Sequence, residues 1–366
     1  MRVLFLFEMN ILEKNYRNFN FFQRLNYFSS HCDTMLIKRK NKLVDPYFIG
    51  KIQFIECPFT NIFFYLFFLV FWTIKERQKF DVIITGPGIV NFATYFISVF
   101  TKKKWVIDIW DIPFRDMKKT TISKVKNKIE IEILKRILKR ADLYITSIIV
   151  HYELEQLKLD PKKIRKYKNA IYLQEIPLLK PRLSHNEFIL LVQRSSFDGE
   201  YGLNLIIDTF KLVSKYINSR LYIIGRINQH VVKDTLDRKI KDHIIFTGFI
   251  DHTEVMQYIA NAHVCIIPYP QIVDLQQIYP IKVIEYLAMS KAIVYSNVEG
   301  VVEQIGGAGI LVDPPTANNF AKSIIFLYKN PDKRKKLEKL AKKRSKEFDE
   351  YKKNEQIFNE IKAVIK

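Results

Sequence analysis

Cysteine is scarce. Cys32, Cys57 and Cys265 are the only three, scattered without C-x-x-C or Cys/His spacing, so neither a structural zinc site nor a disulfide framework is indicated and a reduced compartment fits. A secretory leader is also missing, because residues 1–7 read as a first β-strand without a basic stretch and a cleavage site. No internal repeat or low-complexity tract occurs. Asp108 and Asp111 stand too far apart for an adjacent D-x-D pair. No apolar run approaches the roughly 20 residues that cross a bilayer. Acid is in short supply as well: 38 Asp and Glu stand against 59 Lys and Arg, a formal net charge of +21. Such an excess implies an anionic partner, whether nucleic acid, an anionic membrane surface or phosphorylated substrates, unless it reflects a lysine-rich proteome. No nucleic-acid reader motif accompanies the charge.

What is present is enough chain, 366 residues, for two α/β domains each burying its own core. Residues 2–7 form a short apolar run expected as a buried parallel strand, followed by a polar loop holding Glu8 and a helix with Phe19, Phe22, Leu25 and Phe28 on one side. Residues 62–74, IFFYLFFLVFWTI, are almost unbroken apolar and aromatic, bounded by Asn61 and by Lys75, Glu76, Arg77 and Lys79. Two accounts stand: a fully buried helix, or a helix lying in a membrane interface with Trp72 and Tyr65 at headgroup level and the cations on the phosphates. Residues 82–85 and 105–109 are strands. The first enters Gly86-Pro87-Gly88 and the second the loop Trp110-Asp111-Ile112-Pro113, and ligands of open parallel sheets bind beyond such carboxyl ends. Residues 121–140 read as a basic amphipathic helix. Residues 174–186, with Pro177 and Pro181 and no periodicity, read as a linker. Residues 331–353 read as one lysine-rich helix with Leu337, Leu340, Ala341 and Phe348 inward. Strand and helix alternation on both sides of the linker gives two Rossmann-like halves.

The centre of the reading is QIYPIKVIEYLAMSKAIVYSNVEG, residues 277–300. Pro280 suits the first turn of a helix, and Ile281, Ile284, Tyr286, Leu287 and Ala288 then carry an apolar stripe. Free N–H groups near residues 280–283 favour an anion such as a diphosphate, and Glu285 lies about one turn further in, within reach of a ribose. Residues 292–295 form the returning strand.

P-x-K-x-x-E-Y-x-A followed by K-x-I-V and E-G-V-V-E resembles the donor-site signature of GT-B glycosyltransferases of the GT4-like group. EVMQYIANAHVCIIPY, GAGILVDPPTANNFAKSI, RLYIIGR and HIIFTGFI are similar to the family's flanking segments, and V-I-D-I-W-D-I-P to its acceptor-side loop. The resemblance implies an α/β, GT-B fold, two Rossmann-like domains facing each other across a cleft. It places the acceptor-side domain at 1–173 and the nucleotide-sugar domain at 186–349, with a last helix at about 350–366 returning to the first. It implies transfer of a sugar from a nucleotide-sugar donor, with retention, to a glycan or lipid-linked acceptor. Arg194, in QRSSFDGEYGLNLII, matches the phosphate-contacting arginine; Tyr201 stands where the family has a lysine, a charge that Lys282 or Lys291 would supply. Gln277 falls where the family has its first glutamate, facing donor sugar hydroxyls. Tyr279, Pro280, Ile281, Lys282 and Glu285 complete the donor set, Asp111 is the acceptor-side group or base, and Glu303 approaches the donor or opens a helix. The resemblance implies no metal and no cofactor, the donor itself being a substrate. With the charge and the aromatic run it implies a cytoplasmic protein, peripheral on the inner face of the cell membrane, with no nucleic acid partner. The competing readings are a catalytically silent GT-B protein that binds nucleotide sugars, suggested by Gln277 and Tyr201, and a basic nucleic-acid-binding protein.

Overall fold

The computed structural model describes residues 1–7, 20–39, 51–86, 88–109, 132, 135–147, 158–177, 179, 187–197, 202–227, 240–269 and 278–366. It divides into two compact units, Met1–Asn169 with Glu350–Lys366, and Ala170–Asp349. Glu8, Asp111, Tyr201 and Gln277 lie outside the described residues, as does most of the basic helix expected over 121–140.

The first unit holds strands β1 (Arg2–Leu6), β2 (Asp33–Arg39), β3 (Ile52–Cys57), β4 (Val82–Thr85), β5 (Lys104–Ile109), β6 (Leu143–Ser147) and β7 (Ile164–Tyr167). Their order across the sheet is β3-β2-β1-β4-β5-β6-β7, and every pairing is parallel. A parallel sheet is covered on both faces, which is why its central strands read as unbroken apolar runs. In β1 the alternation shows directly. Val3 and Phe5 meet α1 (Asn20–His31) and the C-terminal helix Glu350–Ile365 through Leu25, Phe28, Ile357 and Phe358. Leu4 and Leu6 meet α2 (Ile62–Lys75) and α3 (Val90–Thr101) through Leu69 and Ile97.

The aromatic run becomes α2, started by Asn61, whose side chain accepts the Phe63 N–H at 2.8 Å. Only Tyr65, Leu69 and Thr73 are buried, a stripe one residue wide at four-residue spacing. The helix is therefore not wholly buried. Nor does Tyr65 sit at an interface: it is fully buried and its hydroxyl donates to the carbonyls of Phe7 at 2.7 Å and Ile37 at 3.2 Å. A tyrosine in an apolar core needs such partners, and the ends of β1 and β2 provide them. Among the described residues no helix is long and apolar enough to cross a membrane.

The second unit holds β8 (Phe188–Ser196), β9 (Ser219–Arg226), β10 (Ile244–Gly248), β11 (Val264–Ile267), β12 (Ala292–Ser296) and β13 (Ile310–Val312). With them alternate α4 (Leu203–Val213), α5 (His252–Asn261), α6 (Ile281–Ala288), α7 (Glu299–Ile305), α8 (Ala317–Lys329) and α9 (Pro331–Ser345). The sheet order is β10-β9-β8-β11-β12-β13, again all parallel. The chain winds outward from β8 to β10, then returns and winds outward the other way from β11, so β8 and β11 flank a topological switch point.

Three local expectations change. The break between the units falls at Asn169/Ala170, because Ile171, Leu173 and Ile176 pack into the second unit's core and the Ile171 N–H donates to the Phe348 carbonyl at 3.0 Å. The lysine-rich helix ends at Ser345; a short 3-10 turn buries Phe348, Asp349 is extended, and a new helix begins at Glu350. Leu340 is exposed, since the buried stripe of α9 runs through Leu337, Ala341 and Ser345.

Tyr65→Phe should cost about 1–3 kcal/mol in denaturant unfolding, because the buried Phe7 and Ile37 carbonyls lose the one O–H they share. Phe67→Ser, on the outer side of the same helix, should change stability by no more than about 0.5 kcal/mol.

Candidate active site

Glu285 occupies the second turn of α6 and is 5% exposed. A buried carboxylate needs donors, and it has two. Nε2 of His252 lies 2.8 Å from Oε1, and Nε2 of Gln193 donates to Oε2 at 3.4 Å. His252 is the first residue of α5, a helix fixed at its start by the Asp251 carboxylate, which accepts the Thr253 N–H at 3.0 Å. The hydrogen bond to Glu285 raises the His252 pKa against the opposing effect of burial. Gln193 lies near the carboxyl end of β8 and serves the site twice, because its carbonyl accepts the Lys282 ammonium at 2.8 Å.

Lys282 and Arg194 share one aromatic ring. The Lys282 ammonium stands 5.0 Å from the centroid of Tyr269 and the Arg194 guanidinium 5.5 Å from it, with Arg194 also 5.8 Å from the Phe197 centroid. Cations over aromatic faces are attracted by the ring quadrupole, but two of them side by side repel. Burial of the ammonium, and after it the neighbouring guanidinium, push Lys282 down to about 7, while Glu285 pulls the other way. Gln193 and Arg194 come from β8 and Tyr269 follows β11, so the group gathers at the switch point, where open α/β sheets bind ligands.

Glycine makes two of these approaches possible. A Cβ on Gly225, which has φ +138°, would lie 1.9 Å from the Arg194 carbonyl oxygen. A Cβ on Gly300 would lie 2.2 Å from the Ile278 carbonyl oxygen, so α7 presses directly on the segment leading into α6.

The remaining sequence-derived residues fall as follows. Pro280 is the N-cap of α6 with ψ 132°, and the helix proper begins at Ile281; proline stands just before the first turn and not within it. Ile281 and Lys282 form that first turn. Tyr279 is buried and its hydroxyl donates to the Glu303 carboxylate, so its side chain is committed to α7. Lys291 is not part of the group, because its ammonium donates to the carbonyls of Ala260 at 2.7 Å and Ala262 at 3.0 Å. It closes the end of α5 instead, as a cation at a helix C-terminus does. Asp111 and Gln277 lie outside the described residues. His252, Gln193, Tyr269 and Gly225 were not singled out from the sequence. For Gly225 a signal existed, the glycine-ended strand RLYIIGR; for the others no local pattern marks the role. Among the described residues no group of His, Cys, Asp and Glu is placed to hold a metal ion.

Two successive parallel α/β units, the second with its polar cluster at the switch point, are the architecture of GT-B glycosyltransferases. HepE from Anabaena, solved in complex with UDP, superposes with a TM-score of 0.70 at 16% identity, covering 99% of this chain and 100% of that one. The lipopolysaccharide outer core galactosyltransferase WaaB superposes with a TM-score of 0.64 at 14% identity, covering 98% and 100%. At the sequence level, an uncharacterized 41.2 kDa protein in the cps region of Klebsiella pneumoniae is 25% identical over 270 residues, 69% of this chain and 70% of that protein. The family model described as glycosyl transferases group 1 matches residues 179–344. The match spans most of the second unit, which is similar to that family, and the chain is a glycosyltransferase with a nucleotide-sugar donor.

Gly225→Ala should destabilise the protein by upwards of about 2 kcal/mol, since the new methyl group meets a carbonyl carbon's oxygen and the backbone sits where only glycine is at ease. A melting curve superimposable on the parent's would contradict the close approach to Arg194.

Proposed function

We propose that the protein moves a sugar, with retention of configuration, from its nucleotide donor to a glycan or lipid-linked acceptor at the cytoplasmic face of the membrane. The observation that carries the donor part is the joining of Lys282, Arg194 and Glu285 around Gln193 and Tyr269. A departing nucleoside diphosphate accumulates negative charge. The N–H groups at the start of α6, Lys282 and Arg194 are the groups that meet it, so the charge is stabilised as it develops. In this assignment Glu285 holds the ribose hydroxyls, with His252 and Gln193 keeping its two oxygens in place. Tyr279, Pro280 and Ile281 shape the backbone beneath the diphosphate. Gln277 faces the donor sugar and Asp111 takes the acceptor's hydroxyl proton. The bond from the anomeric carbon to the diphosphate oxygen breaks, and one to the acceptor oxygen replaces it. Cations and helix dipole supply the countercharge, so no divalent ion and no cofactor is required in this scheme. An acceptor of the cell envelope is supported by the relative encoded in a cps region and by the fold shared with a lipopolysaccharide galactosyltransferase.

Glu285→Ala should lower kcat/KM for sugar transfer at least about tenfold, the worth of hydrogen bonds to a charged group; undiminished turnover removes Glu285 from the donor site. Lys282 gives a pH signature. An arriving diphosphate brings negative charge beside the ammonium, so it raises the ammonium's pKa from about 7. Affinity for a nucleoside diphosphate is then full below that value and falls as pH rises through it, by at most about tenfold per pH unit. Titration calorimetry at about pH 8 in buffers of different ionisation enthalpy should show proton uptake, and Lys282→Arg should abolish it. Uptake that persists in Lys282→Arg would move the effect to another group.

A further inference from the structure

The outer faces of α2 and α3 are apolar, which is the reverse of what helices on a water-facing sheet require. On α2 the residues turned outward are Phe63, Phe64, Phe67 and Phe71, of which Phe67 is 70% exposed. On α3 they are Phe92, Phe96, Val99 and Phe100. In each helix these positions recur at four-residue spacing opposite the buried stripe, so each helix has an apolar inner side and an apolar outer side. The two helices lie on the same face of the sheet, packed through Leu69, Val90 and Ile97. Neither helix has a charged residue before its last turn. Solvent-facing aromatic surface of this kind marks a contact surface.

Charge decides what the surface contacts. Lys75, Arg77 and Lys79 follow the body of α2, and Lys102, Lys103 and Lys104 follow α3. They lie at one end of the face, because Val82 pairs with Lys104 in the sheet and the Lys103 ammonium stands 5.8 Å from the ring centroid of Phe80. Of the acids nearby, Glu76 pairs with Lys79, Asp142 with Lys104 and Asp81 with Arg2, and Lys75, Arg77, Lys102 and Lys103 stand outside these pairs. An aromatic plane with a cationic border matches the acyl boundary and phosphate layer of a bilayer. A second copy of the chain fits poorly: both copies carry the same cationic border and a net charge of +21.

We propose that the paired outer faces of α2 and α3 form a docking surface that lays the first unit flat on an anionic lipid bilayer. It deepens the membrane-surface part of the function above and rests on that part alone. The aromatic rings enter the acyl boundary, and the cations at the ends of both helices contact lipid phosphates.

Flotation of the full-length protein with vesicles tests this. The protein should float with equal parts phosphatidylglycerol and phosphatidylcholine, and far less with phosphatidylcholine alone. Lys102→Glu with Lys103→Glu should weaken binding to the anionic vesicles by about 25-fold or more, each lost cation contributing roughly fivefold. Phe67→Ser, Phe71→Ser, Phe96→Ser and Phe100→Ser combined should abolish flotation while the melting temperature and nucleotide-induced stabilisation stay those of the parent. A parent protein that stays in solution with both vesicle types overturns the proposal, as does flotation unchanged by the serine substitutions. A parent dimer in sedimentation velocity that the serine substitutions split, with no effect on flotation, assigns the face to self-association instead. Vesicle binding without sugar transfer would sink the catalytic reading and leave the docking surface standing; transfer without vesicle binding would do the opposite.

Discussion

Two cations held against one aromatic ring repel each other, and the second unit is built so that they meet there all the same. Lys282 and Arg194 come from different elements, one from the first turn of α6 and the other from the end of β8, and both meet at Tyr269. What keeps Lys282 there is a backbone carbonyl of Gln193, a neutral group that orients the ammonium without neutralising it. The carboxylate that could have neutralised it, Glu285, is held one turn away by His252 and by the side chain of the same Gln193. Glu285 and Lys282 are thereby kept from closing on each other. Had Glu285 closed on Lys282 directly, the two would have formed a buried pair with nothing left over for a diphosphate.

The elements that read correctly from sequence are those whose physics is local. Buried parallel strands show as apolar runs, and RVLFL and VIIT could be placed without tertiary information. A proline, a helix start and a carboxylate five residues on gave α6 and Glu285 within a single window. What escaped was everything decided by distant contacts. His252 and Glu285 are 33 residues apart and Gln193 and Glu285 are 92 apart, and only the switch-point topology brings them into contact. Lys291, in the same stretch as Lys282, reads as an equal candidate cation, yet the parallel neighbour of its strand puts it at the end of α5. Composition cannot separate these two lysines; the register of β11 against β12 does.

The aromatic run in α2 shows a different limit. Its composition offered a buried or an interfacial helix as alternatives, and the structure buries one side of the helix and exposes the other. The inner stripe is set by Tyr65, whose hydroxyl answers two strand-end carbonyls and so fixes which side of the helix faces the sheet. Once that stripe is fixed, the phenylalanines at 63, 64, 67 and 71 have nowhere to go but outward. Periodicity fails here because both sides are apolar, and only a polar atom demanding a buried partner breaks the tie. The contribution of α3 could not be read at all from its sequence, since its outward residues gain meaning only beside α2.

Asp108 illustrates how packing can remove a residue from the chemistry. It is one of two carboxylates near the end of β5, and from the sequence the acceptor-side role was expected of the other, Asp111. In the folded unit it is 3% exposed and paired with the Arg24 guanidinium, itself buried on α1. Next to Arg24 the C-terminal helix brings Glu350 and Lys353, paired at 2.5 Å, and burial shifts both toward their neutral forms. Separating any member would strand a charge in a low-dielectric interior, which costs far more than the pair contributes. These residues thus join α1, β5 and the chain's last helix into one unit with the carboxylate of Asp108 already occupied. One oxygen of Asp108 is thus engaged in holding the unit together, a role that no pattern around it in the sequence announces.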